Sequence, residues 1–220
     1  MVTLDLNQQA SNSVELHFLR GKAIQAYASI EFNLSILFAG LLQTSIDYAG
    51  IIFFRLTNTH SRNAIFDALL KKRYSNQFEA YWHGIPNSPN RQGLFSLIRQ
   101  LDQRRNEIVH WHTVNHINLE DDGKQSSYLD LSPPNAWAFK TDHPKISTTE
   151  LKEFCAKADF VARSIGCFFA VTGETIPAGS DSAETWNEIF QQPCIYPPPD
   201  NHPLSLNYKA PETPHPPSQR

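Results

Sequence analysis

Leu16, Leu19, Ala23, Tyr27, Ile30 and Leu34 recur at intervals of three and four residues, a spacing that only an α-helix gathers onto one face. A chain whose longest apolar pattern has this period must bury that stripe against other helices. Asn12 with Glu15 reads as a capping box opening the helix, and the pattern runs to about Leu42. Four further stretches repeat it. Thr44 with Asp47 starts a second helix through Ile46, Ile51, Ile52 and Leu56, ending at Thr57 or Asn58. Ser61 opens a third, which runs through Ile65, Leu69 and Phe78 to Gly84 and the breaker Pro86. Asn90 caps a fourth carrying Leu94, Leu97, Ile98, Leu101 and Ile108. Ser147 with Glu150 begins a fifth, with Leu151, Phe154, Ala158, Val161, Ile165 and Phe168 on its stripe.

Between the fourth and fifth helices the period changes from about four to two. Short runs at Ile117 to Leu119 and Tyr128 to Leu131 flank Glu120-Asp121-Asp122-Gly123, whose Asp-Gly pair signals a hairpin turn. Asp181 with Glu184 predicts a short sixth helix to Phe190. Beyond it, eight prolines from Pro197 to Pro217 and a further one at Pro193 exclude regular structure. The expected fold is all-α: an up-and-down bundle of about five helices with a small β-hairpin insertion at residues 116–140. A flexible N-terminus, residues 1–11, would precede a single helical domain, residues 12–192, with a disordered Pro-rich tail at 193–220.

Three cysteines, Cys155, Cys167 and Cys194, form no C-x-x-C pair, which argues against a disulfide framework or a structural zinc site. Residues Met1 to Asn12 lack a basic and then apolar leader, and Gln43, Thr44, Ser45 and Asp47 interrupt the apolar run from Leu34 to Phe54. The expected setting is therefore the cytoplasm, with no membrane partner. Net charge is −3, which argues against generic nucleic-acid binding, yet the segment from Arg55 to Arg105 carries +6 and the remainder −9; the basic region reads equally as a solvated helical surface or as one facing RNA.

The stretch that can carry chemistry is Gln103-Arg104-Arg105-Asn106-Glu107-Ile108-Val109-His110-Trp111-His112, late in the fourth helix. Arg105, Asn106 and, after three residues, His110 resemble the Arg-x4-6-His signature of the HEPN superfamily (higher eukaryotes and prokaryotes nucleotide-binding). Arg55 and His60 share the spacing without the Asn, the apolar pair before the His, or the late-helix position. The likeness spans roughly Asn12 to Phe169, with its specific content in the motif.

The resemblance implies a metal-independent endoribonuclease working as a homodimer, with Arg and His from two subunits meeting in one composite site and no cofactor. The 2′-OH of RNA would attack the adjacent phosphate, leaving a 2′,3′-cyclic phosphate and a 5′-OH. His110 is then the acid/base, Arg105 the phosphate clamp and Asn106 an orienting amide, with Arg104 and His112 as possible support. A toxin or phage-defence role, with an antitoxin protein as partner, follows by family association only. In toxins whose catalytic His is followed two residues later by a modified Tyr, that Tyr is essential to regulation; here the position holds His112.

Helical geometry complicates the motif. Arg105 and His112 fall on the stripe of Leu94, Ile98 and Leu101, whereas His110 points about 140° away from Arg105. Either His110 faces outward toward a second subunit with Asn106 and Gln103, leaving His112 as a supporting or core histidine, or the working pair is Arg105 with His112. Two other readings stand beside these. His110, His112 and His116 raise metal binding, but no third-ligand spacing accompanies His112 and His116. A HEPN-like module that binds RNA, a nucleotide or a protein without cleaving is the stronger rival.

Overall fold

The computed structural model describes residues 6–87, 92–119, 125–135, 144–173 and 175–209. Among them the chain is mostly helical, with seven helices and one two-stranded antiparallel sheet. The order is α1 (Leu6–Leu42), α2 (Ile46–Arg55), α3 (Thr59–Tyr74), α4 (Glu79–His83), α5 (Leu94–His110), β1 (His112–Leu119), β2 (Gln125–Ser132), α6 (Thr148–Thr172) and α7 (Asp181–Phe190).

Three long helices make the frame. Lys152 meets Glu15 at 2.8 Å at one end, and the Phe169 ring crowds Gly40 near the other, so α1 and α6 run parallel. Tyr27 bonds Asp102 and Arg20 bonds Val109, which sets α5 antiparallel to α1. Leu16, Ala23, Ile30, Leu37, Leu97, Ile98, Leu101, Leu151, Ala158, Val161 and Ile165 fill the space between them and are essentially inaccessible. The second end of the bundle is aromatic. Phe168 lies 5.0 Å from Phe78, 5.2 Å from Trp82 and 5.1 Å from Phe190, all close to edge-on, the arrangement favoured by ring quadrupoles.

Several boundaries depart from the sequence reading. α1 starts at Leu6, so residues 6–11 are helical and Asn12 sits inside the helix, where its amide reaches the Ser127 carbonyl at 3.4 Å instead of forming a cap. The expected third helix is two: Ser75, with φ of 55°, ends α3, and the chain restarts as the short α4. Asn90 lies outside the described residues, and Gly93 stands at the N-cap of α5, where a Cβ would collide with the backbone of His83 and Gly84. The hairpin begins four residues earlier than expected, at His112, and pairs His112 with Ser132 through Leu119 with Gln125. Its Asp-Gly turn lies outside the described residues.

The segment expected to be a disordered tail packs on the bundle as far as Leu204. Cys194 is buried, the Tyr196 ring is 5.4 Å from Phe160, and His202 lies 5.5 Å from Phe160 and 5.6 Å from Trp186. Prolines bar ladder hydrogen bonds but not burial, and turns such as His202 N–H to the Pro199 carbonyl satisfy the backbone. Residues 210–220 are outside the described set. The apolar run from Leu34 to Phe54 is the end of α1, a turn and α2. α1 has the length and composition of a membrane span, and nearly half of its most apolar stretch is buried inside the bundle.

Candidate functional site

α5 carries the stretch from Gln103 to His110, and Trp111 and His112 follow its end. Its apolar stripe buries Leu94, Leu97, Ile98, Leu101 and Ile108 against α1 and α6. Arg105 continues that inward face: its guanidinium carbon sits 4.9 Å above the Tyr27 ring of α1. Asn106, His110 and Gln103 are exposed on the outer side. Arg105 and His110 therefore diverge within one chain and make no contact with each other.

Arg105 belongs to a polar cluster spanning three helices. Asp102 is its centre, accepting from the Tyr27 hydroxyl at 2.7 Å and the Thr59 hydroxyl at 2.9 Å on opposite oxygens, and from Arg105 at a long 3.4 Å. Burial, then the neighbouring Asp102 carboxylate, pushes the Tyr27 phenol well above its ordinary range, so it remains a donor. Beside it Arg62, 8% exposed, pairs with Glu31 at 3.1 Å and lies over the Phe53 ring. The Nε of Arg105 is buried and makes no hydrogen bond. The guanidinium is held by a ring face and one long contact, which leaves donors unspent.

His110 occupies the last helical position, and Trp111 breaks out into extended conformation with ψ of 149°. Two carbonyls there would lack partners, and Arg20 of α1 supplies them, donating to Val109 at 2.7 Å and Trp111 at 3.1 Å. The imidazole of His110 is exposed and has no hydrogen-bond or ion-pair partner among the described residues.

Three expectations change here. His112 is neither core nor helical: α5 ends before it, so the helical wheel does not extend that far, and His112 is exposed at the start of β1. His112 and His116 stand on a strand, about 13 Å apart by strand rise, too far to share an ion. His116 instead pairs with the buried Asp130 at 3.0 Å and stacks on Tyr128, and among the described residues no three His, Cys, Asp or Glu side chains are grouped to hold a metal. Arg104, expected as support for the site, bridges Glu107 at 2.7 Å and Glu150 at 2.6 Å, the latter being the capping-box carboxylate of α6.

Sequence reasoning missed Arg20, Tyr27, Glu31, Arg62 and Asp102. Tyr27 showed only as an apolar-stripe residue, while the charged groups showed only as net charge. Of the basic segment, Arg62, Lys71, Arg104 and Arg105 face carboxylates, and Arg55, Lys72, Arg73 and Arg99 make no ion pair among the described residues. Comparison with protein-family models, with curated proteins and with solved structures finds no match.

Proposed function

We propose that this chain is a HEPN-type, metal-independent endoribonuclease that cleaves RNA by attack of the 2′-OH on the adjacent phosphate. The observation that carries the reading is the His110 imidazole, exposed and unpartnered at the end of α5, with the Asn106 amide one turn behind it. A histidine held by a rigid helix end yet free of protein bonds can exchange a proton with a ribose hydroxyl. Arg105, whose guanidinium is partly exposed and spends only one long contact on Asp102, would supply the fixed cation that a phosphorane needs. Asn106 would orient the imidazole or hold a phosphate oxygen.

Because Arg105 and His110 diverge in one chain, the chemistry calls for a second copy, and the working species is a homodimer. α2 supports this: Ile46, Tyr48, Ile51 and Ile52 are exposed on a ten-residue helix that buries only Ala49 and Phe53. So many uncovered apolar side chains on one short element mark a protein–protein contact. The setting proposed is cytoplasmic, with RNA as substrate and a toxin or defence role, an antitoxin being its regulatory partner. The second reading, an RNA- or nucleotide-binding module without cleavage, draws on Asp102, whose charge offsets that of Arg105.

Incubating total RNA in EDTA with the wild type, Arg105→Ala and His110→Ala tests the proposal. Fragments with 2′,3′-cyclic phosphate ends, reduced at least about 10²-fold in both variants, are expected. A folded wild type that cuts nothing would move the function to binding, and loss in His112→Ala alone would move the chemistry to that residue. Light scattering at micromolar protein should give a dimer, and Ile51→Asp a monomer; a monomeric wild type removes the composite site.

A further inference from the structure

Between α1, the turn joining α2 to α3, and α5 lies an open cavity of about 320 Å³, whose walls include Glu31, Phe54, Thr59, Arg62, Arg105 and Asn106. Its charges cancel, since Arg62 and Arg105 face Glu31 and Asp102. A phosphate entering it would meet as many carboxylates as guanidiniums, so the interior favours a neutral ligand with donors on one edge and acceptors on the next. Glu31 spends only Oε1, on Arg62, leaving Oε2 and further lone pairs open. The Asn106 amide has no hydrogen-bond partner among the described residues and lies at the rim with Arg105. Phe54, 57% exposed, offers an aromatic surface on the side of α2. Flat, polar-edged and stackable describes a nucleobase, the part of single-stranded RNA that proteins read by stacking and by its Watson–Crick edge.

We propose that this cavity is a base-selecting subsite for guanine, an inference that rests on the ribonuclease reading and names the nucleotide next to the cleaved bond. Guanine alone presents two adjacent donors, N1–H and the N2 amine, that match the two oxygens of a carboxylate, and beside them the O6 acceptor. Glu31 takes the donors, while Asn106 or Arg105 donates to O6. Adenine and cytosine would turn a ring-nitrogen lone pair toward the Glu31 carboxylate. Uracil brings a single N–H between two carbonyls. The phosphate on the guanosine stays outside the neutral interior, at the edge marked by Arg105 and Asn106, where the composite site would bring the His110 of a second copy.

Calorimetric titration of the full-length protein with GMP, AMP, CMP and UMP tests the assignment without requiring cleavage. GMP should bind at least about tenfold more tightly than the other three, and Glu31→Gln should erase most of that preference, because an amide cannot accept from both donors. Equal affinities, or no binding of GMP, overturn it. Should Glu31→Gln misfold through loss of the Arg62 pair, the wild-type comparison still decides, and Asn106→Ala should weaken GMP in a folded protein. Sequencing the ends of cleaved RNA gives the second readout, with guanine enriched at one fixed position. GMP selectivity in a protein that cuts no RNA keeps the cavity and removes the ribonuclease; cleavage with no base bias and no GMP preference removes the guanine subsite alone.

Discussion

The guanidinium of Arg20 donates to the carbonyl of Val109 at 2.7 Å, fastening the first helix to the residue before His110 across 89 positions of sequence. The open carbonyls of the last turn of α5 gain a partner, and the negative end of the helix a cation. Arg20→Ala should therefore lower stability by about 1.5–3 kcal/mol, the range for a charged hydrogen bond. Arg20→Lys should restore part of it by keeping the charge. Urea midpoints of the three proteins measure this, and an unchanged midpoint in Arg20→Ala would show that the contact contributes nothing.

Arg104 and Arg105 are sequence neighbours with different duties. Arg104 bridges two half-exposed carboxylates, so Arg104→Ala should cost about 1 kcal/mol of stability and leave RNA cleavage within about threefold of wild type. Arg105→Ala should lose cleavage about 10²-fold. Equal loss of cleavage from both substitutions would place Arg104 in the site after all.

His202 makes the packed C-terminal segment sensitive to acid. Burial pushes its imidazole down to about 4, below the ordinary 6.5, and its Nδ1 accepts from the Leu204 N–H, a bond available only to the neutral ring. The folded state favours the neutral form, so its full contribution is present above pH 6.5 and is lost as pH falls from 6.5 through 4. Allowing for its partial exposure, the loss is on the order of 2 kcal/mol. Limited proteolysis of residues 193–209 should accelerate between pH 7 and pH 4.5 in the wild type, and less so in His202→Phe. Identical pH profiles would sink the idea.

Phe168 touches more of the aromatic end than any other ring, meeting Tyr74, Phe78, Tyr81, Trp82 and Phe190. Truncation leaves a cavity that rigid neighbours cannot refill. Phe168→Ala should cost about 3–5 kcal/mol, measured by chemical unfolding. A cost below about 1 kcal/mol would mean that the rings repack.

What was legible in the sequence follows from range. Helical period is a local property, so α2, α5, α6 and α7 could be read from their stripes; of the expected caps, Ser147 with Glu150 forms its capping box, while Ser45, Gly93 and Ser180 stand where α2, α5 and α7 begin. The inward lean of Arg105 and the outward position of His110 and Asn106 likewise follow from 100° per residue. Illegible were contacts between distant segments. Nothing near Asp102 announces that Tyr27 and Thr59 will bond to it, and nothing in the proline-rich segment announces that Cys194 and Tyr196 will find cover on α6 and α7. The break before His112 was missed because one extended residue, Trp111, decides whether the helical wheel still applies.

The parallel pairing of α1 with α6 also sets a clock. α1 ends at Leu42 and its principal partner begins at Thr148, so more than a hundred residues must be synthesised before α6 can cover its side of α1, although α2 and α5 emerge earlier. At about 10 residues per second, the nascent chain waits roughly ten seconds for that cover, a long interval beside the microseconds in which a helix forms. The frame can close only when α6 leaves the ribosome, so a chain stalled anywhere before Thr148 is a sticky helical fragment and a natural client for chaperones.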